Sequence, residues 1–240
     1  MQSNSEQLRR ELALAHRILV GQGVLEAFGH ISLRNPDNPE EFYLPRALPP
    51  SCVTADDVLL FDGDSKPVHQ TDQALFSESC IHAAIFRARP DVMAICHHHS
   101  PSIMPFCVTD KTLEPVSQTG AAMGKRVPVW DSQAEFGDTR LLLTDQQQSE
   151  SLANALGSDW MVLMRRHGAT VVGRSLTEVV FRAVHACRDA DTILRASTLG
   201  EITPLTPQER QLAGTLREEP MRRCWQHWAA TLPETLHLAD

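Results

Sequence analysis

Val92-Met93-Ala94-Ile95-Cys96-His97-His98-His99-Ser100 is an apolar run that ends in three consecutive imidazoles. The run predicts a buried strand over residues 92–99. Successive side chains of a strand point to opposite faces, so His97 and His99 share a face and His98 takes the other. Two imidazoles two residues apart on a rigid strand are placed to clip one divalent ion. A third ligand has to come from elsewhere. The best candidate is His167, which follows a second apolar run, Met161-Val162-Leu163-Met164, and precedes Gly168, a residue that permits a tight turn. Three neutral imidazoles suit a catalytic site for zinc or a similar ion, with open positions for water or substrate. The competing reading is a set of packed or hydrogen-bonded histidines at a strand end, and pattern alone leaves both open.

Before this strand, Asp72 to Arg89 reads as a helix with Asp72 as N-cap and Pro90 as the stop. On it Glu78, Ile81, His82 and Ile85 fall on one face. A carboxylate turned toward isoleucines is costly unless paired or protonated, which makes Glu78 a candidate proton carrier. The alternative is a structural pair between Glu78 and His82, or between Glu78 and an arginine. His16, His69, His185, His227 and His237 show no ligand spacing.

Elsewhere, residues 5–20 carry apolar positions at helical spacing, closed by Gly21 and Gly23. Short strands are expected at 24–33, 41–44, 58–61, 113–116, 127–130, 141–143, 161–165 and 170–172. Helices are expected at 100–107, 148–156, 175–199 and from Pro207 onward. Strands and helices mixed without strict alternation indicate an α/β or α+β layered domain. A chain of 240 residues suits one such domain over 1–240, with a helical C-terminal tail.

The formal net charge of -8 argues against nucleic-acid binding, which needs a basic face to displace counterions, and against an anionic membrane surface. No apolar run is long enough to span a bilayer. Residues 1–16 lack the apolar core of a signal peptide. The six cysteines form no Cys-x-x-Cys pair and read as reduced, packed thiols. A cytoplasmic protein is expected.

Taken in order, Gly29-His30-Ile31-Ser32, Ser77-Glu78, Arg89-Pro90-Asp91-Val92, His97-His98-His99-Ser100 and Arg166-His167-Gly168 resemble the class II aldolase/adducin family, from about Leu8 to about Leu205. The resemblance implies a three-layer α/β/α sandwich around a mostly antiparallel sheet. It implies one divalent metal ion per subunit (zinc, manganese, iron or cobalt) on His97, His99 and His167, with Glu78 as acid/base. It also implies a homotetramer with active sites between subunits. The segment Met221 to Trp228 would then pack either at an interface or against the home core.

Departures from the family's sugar-phosphate aldolases concern the substrate. His30 stands where those enzymes carry asparagine. Leu44-Pro45-Arg46-Ala47 replaces a Thr-x-Ser-Gly-like turn, and Phe76 replaces the first of two serines, leaving Ser77. A phosphate cradle of hydroxyls and amides is thereby lost. Arg46 can grip a carboxylate, Phe76 can flank a ring, and His30 can serve as a second acid/base or a substrate hydrogen bonder. Alternatively, Arg46 forms a surface salt bridge and His30 braces its turn. The pattern is similar to the branch that decarboxylates hydroxylated aromatic or heteroaromatic acids. The rival expectations are an aldolase for a non-phosphorylated hydroxy-keto acid and an adducin-like non-catalytic binding protein.

Overall fold

Seven short strands form a single sheet: β1 (His30–Arg34), β2 (Phe42–Pro45), β3 (Val58–Phe61), β4 (Ala94–His98), β5 (Val129–Trp130), β6 (Met161–Met164) and β7 (Gly168–Gly173). The computed structural model describes residues 4–236, so the ends of the expected domain, His237 included, lie outside the described residues. The strand order is β3-β2-β1-β4-β7-β6-β5. Every neighbouring pair is antiparallel except β5 and β6. The helices are α1 (Asn4–Gly21), α2 (Ser79–Ala88), α3 (Met104–Cys107), α4 (Ser132–Phe136), α5 (Gln146–Leu156), α6 (Leu176–Ala196), α7 (Pro207–Ala213) and α8 (Glu218–Ala230).

The period-two alternation of the strands builds two cores, one on each face. Ile31, Cys96, Leu163 and Val171 pack with Leu12 and Ile18 of α1, Val180 and Val184 of α6, and Met221 and Trp228 of α8. Leu44, Ile95, Val162 and Val172 pack on the opposite face with Ile81 and Ile85 of α2 and Leu152 and Leu156 of α5. This is a three-layer α/β/α sandwich with a mostly antiparallel sheet. Side-chain caps start α5 and α6: Asp145 accepts from the Gln148 amide and Ser175 from the Glu178 amide. Trp228 belongs to the home core, 5.9 Å from the His185 ring. Among the described residues no helix is long and apolar enough to cross a membrane.

Several expected elements differ. Residues 24–29 form no strand, because the Val24 and Leu25 amides turn back onto the Leu19 carbonyl and finish α1. The helix expected from Asp72 starts only at Ser79. The Ala74 carbonyl is instead taken by the Ala47 amide, a tertiary contact that outweighs local helix propensity. Residues 113–116 form no strand, since the Val116 amide donates to the buried Asp189 carboxylate at 2.8 Å. The stretch 127–130 contracts to Val129–Trp130, and α4 had no counterpart in the pattern. Residues 141–143 are likewise not a strand.

His16 of α1, fully buried, joins helix to sheet. Its Nδ1 donates to the Leu12 carbonyl at 2.8 Å, so Nε2 is the lone pair that accepts from the Ile31 amide at 3.2 Å. Only the neutral ring can do both. Burial pushes its pKa from 6.5 down to about 4. The unfolded chain therefore takes up a proton below pH 6.5 that the native state refuses until about pH 4. Stability present at neutral pH is lost across that window, by about 3 kcal/mol for this residue. Denaturant unfolding of wild type and His16→Gln at pH 7 and pH 4.5 checks this. The variant should lose less stability on acidification, and an equal loss would clear His16 of the effect.

Candidate metal centre

The register of the sheet places His30, His97 and Thr170 in one row across β1, β4 and β7. All three side chains rise on the α2/α5 face. His97 is fully buried, and its Nδ1 lies 3.1 Å from the Thr170 hydroxyl. That hydroxyl directs its own proton to the Met164 sulfur, so its oxygen accepts from His97 Nδ1–H. The Nε2 of His97 is then a bare lone pair. His167 sits on the hairpin between β6 and β7, where Nδ1 donates to the Leu141 carbonyl, and its Nε2 is bare for the same reason. His99 follows the end of β4.

The three Nε2 atoms lie 3.1 Å from one another. Between His97 and His167 neither nitrogen has a proton to share, so that approach is not a hydrogen bond. Two lone pairs held this close repel unless a cation lies between them. The spacing also matches imidazoles that each bind one ion at about 2.0–2.1 Å. The donor set therefore fits a divalent metal, with partners behind His97 and His167 that fix ring orientation. Burial, then the charges of His167 and His99, holds His97 well below the usual imidazole range. Burial followed by His167 lowers His99 to about 4. Neutral rings are the ligating form.

Glu78 completes the cluster, with all four ligand atoms within 4.8 Å of one another. Its Oε1 is 3.3 Å from His167 Nε2 and accepts from the Leu143 amide at 3.2 Å, while Oε2 is 3.6 Å from His97 Nε2. Burial pushes its pKa up, against the opposing pull of His167 and the Leu143 amide. It pairs with neither His82 nor an arginine. It also reaches the site from the residue just before α2 rather than from a helical face. Gly168 serves a different need from the one its position suggests. The left-handed backbone falls at Arg166, with φ 62°. A Cβ at residue 168 would meet the His98 carbonyl oxygen at 2.4 Å, so only glycine lets the hairpin approach β4.

Around this cluster the other site candidates fall differently. The His30 ring lies 5.3 Å from His97 and so borders the centre, and Phe76 packs on the His30 ring at 4.6 Å. Ser77 is exposed beside Glu78. Arg46 forms the salt bridge that competed with a binding role, Nε to Asp57 at 2.7 Å. Its neighbour Ala47 is tied to the segment that leads to Phe76. His98 points to the opposite face, where it is fully buried with an unpartnered Nε2. Sequence reasoning missed Thr170 and the backbone of Leu141 and Leu143. Strand alternation would have shown Thr170 beside His97 once the register was known; the leucines carry no signal, because their contribution is main-chain.

Fold and cluster together define a class of α/β sandwich proteins with a His/Glu cluster that could hold a metal ion. Residues 10–194 match the family described as Class II Aldolase and Adducin N-terminal domain, and the chain belongs to that family. Decarboxylase tropJ of Talaromyces stipitatus is 28% identical over 235 residues, 88% of each chain. The 3,4-dihydroxyphthalate decarboxylase of Arthrobacter keyseri is 27% identical over 210 residues, covering 80% of this chain and 79% of that one. The crystal structure of an aldolase II superfamily protein from Pseudomonas syringae shares the fold, with a TM-score of 0.81 at 21% identity over 97% of this chain and 94% of that one.

Proposed function

We propose that this chain is a metal-dependent carbon–carbon lyase that decarboxylates a hydroxylated aromatic or heteroaromatic carboxylic acid. The observation that carries the reading is the convergence of three imidazole Nε2 atoms at 3.1 Å beside a buried carboxylate. Relatives named as decarboxylases supply the reaction type. His97, His99 and His167 hold one divalent ion per subunit, whether zinc, manganese, iron or cobalt. When bound, the ion supplies Lewis-acid stabilisation of the negative charge that develops as carbon dioxide leaves.

The chain's own residues do the rest. The bond to the carboxylate breaks with its electrons left on the ring carbon, and a proton replaces the carbon dioxide. Glu78 carries that proton, and His30, beside His97, contacts the substrate. Phe76 flanks the ring, and Ser77 offers a hydroxyl at the mouth. Arg46, anchored through Nε by Asp57, orients a carboxylate with the rest of its guanidinium. The same reading makes the chain one domain with a helical C-terminal tail, and a cytoplasmic homotetramer with sites between subunits. Leu142, an exposed apolar residue between the two whose backbone holds His167 and Glu78, supports covering of this face.

Metal analysis and a carbon-dioxide release assay over hydroxylated benzoic and pyridine carboxylic acids test the proposal. About one ion per subunit is expected, with release from acids bearing a hydroxyl beside the carboxylate and none from their deoxy analogues. Bound metal with pyruvate or an aldehyde as product would make the chain an aldolase. Protein that holds no metal and gains none on titration would be an adducin-like binding protein.

A further inference from the structure

Behind His30 runs a buried chain of polar groups. His30 Nδ1 lies 2.7 Å from His82 Nε2, and His82 Nδ1 lies 2.6 Å from the Ser32 hydroxyl. Ser32 and His82 are fully buried, and His30 is 3% exposed. The direction of the hydrogen bonds follows from counting protons. Among the described residues His82 is the one partner recorded for the Ser32 hydroxyl. Were that hydroxyl to accept from His82, its own proton would be sealed in the core without an acceptor, at a cost of about 1–3 kcal/mol. Ser32 therefore donates to His82 Nδ1. His82 is then protonated at Nε2 and donates to His30 Nδ1. The remaining proton of neutral His30 is left on Nε2. That atom has no hydrogen-bond partner among the described residues. It is also absent from the sealed, unpartnered nitrogens, which include those of His98 and His185. It is therefore open to accessible space, on a ring whose centroid is 5.3 Å from that of His97.

We infer that Ser32 and His82 are positioning residues that hold His30 as a neutral Nε2–H donor, so that His30 hydrogen-bonds an anionic oxygen of the substrate and does not carry the proton. Losing Nε2–H from such a ring would leave an imidazolate or draw the proton of a buried serine, and neither is a workable acid. A fixed neutral donor aimed at developing charge needs no reorganisation during the reaction. This rests on the decarboxylase reading of the site and divides its labour, leaving Glu78 as the proton carrier.

The test has a kinetic and a spectroscopic arm, both on metal-loaded protein. His30→Gln keeps a neutral N–H donor and has no basic nitrogen; His30→Ala keeps neither. The glutamine variant should retain kcat within about tenfold, and the alanine variant should lose about a hundredfold or more. Equal loss in both would make His30 the proton carrier and overturn the inference. In protein labelled with 15N-histidine, the His30 signals, assigned by their loss in His30→Gln, should show Nε2 protonated and Nδ1 bare. Ser32→Ala should mix the two tautomers and lower kcat about tenfold with KM little changed. A protonated Nδ1 in wild type, or an unaltered spectrum in Ser32→Ala, would refute the chain. The spectra need no turnover. A wild type that releases no carbon dioxide but shows the predicted tautomer would sink the decarboxylase reading and leave the hydrogen-bond chain standing.

Discussion

His99→Ala is expected to purify without metal and to lose at least about a thousandfold in turnover, while the sheet folds normally. The magnitude follows from the several kcal/mol that a metal contributes to charge stabilisation, about 4 kcal/mol for a thousandfold. His99 is the right ligand to remove. It lies past the end of β4, and its ring meets the other two ligands and the Gly168 backbone rather than either apolar core. Its loss opens no gap in either core and breaks no ladder bond. His97→Ala would be a poorer test, because that ring is fully buried and bonded to Thr170. Elemental analysis, far-ultraviolet circular dichroism and the assay above give the three readouts. Retained metal with retained turnover would remove the histidine cluster from the chemistry. Melting temperature should also become insensitive to added metal, since linkage requires binding to the native state.

Glu78→Gln separates proton transfer from metal holding. The amide keeps the shape of the side chain, and its oxygen still accepts from the Leu143 amide, so the packing at the start of α2 is preserved. What disappears is the titratable proton. The expected result is a fall in kcat of about 10²–10⁴, the usual worth of a positioned acid or base, with metal content near that of wild type and KM changed little. A kcat within tenfold of wild type would end the role of Glu78 as proton carrier. Loss of metal in this variant would make Glu78 a ligand instead, a role its 3.3 and 3.6 Å separations from His167 and His97 leave sterically open.

Much of the sandwich was legible because strands covered on both faces read as short continuous apolar runs, whose side chains still alternate between the faces with a period of two. The strand at 58–61 was placed to the residue, and the one at 161–165 ends a residue short of its expected limit. The same period of two put His97 and His99 on one side and His98 on the other, as the structure has it. Three of the failures share one cause. At 72–78, 113–116 and 141–143 the backbone is engaged by a distant partner: a loop, the Asp189 carboxylate, and the site itself, whereas 24–29 closes locally on the end of α1. Local propensity says nothing about such partners. The helical face expected to carry Glu78 is not what places it: it reaches the cluster from the residue just before α2, held there by the Leu143 amide. Arg46 shows the reverse case, where a residue type suited to binding carboxylates is found bonded to one from its own chain.

The loop at 141–143 steers two catalytic candidates with main-chain atoms alone, the Leu141 carbonyl on His167 and the Leu143 amide on Glu78. Scanning mutagenesis, which swaps side chains and keeps every peptide bond, is nearly blind to such an element. Its sensitivity is to length: adding or deleting one residue there would misalign both groups at once, whatever amino acids the loop carried.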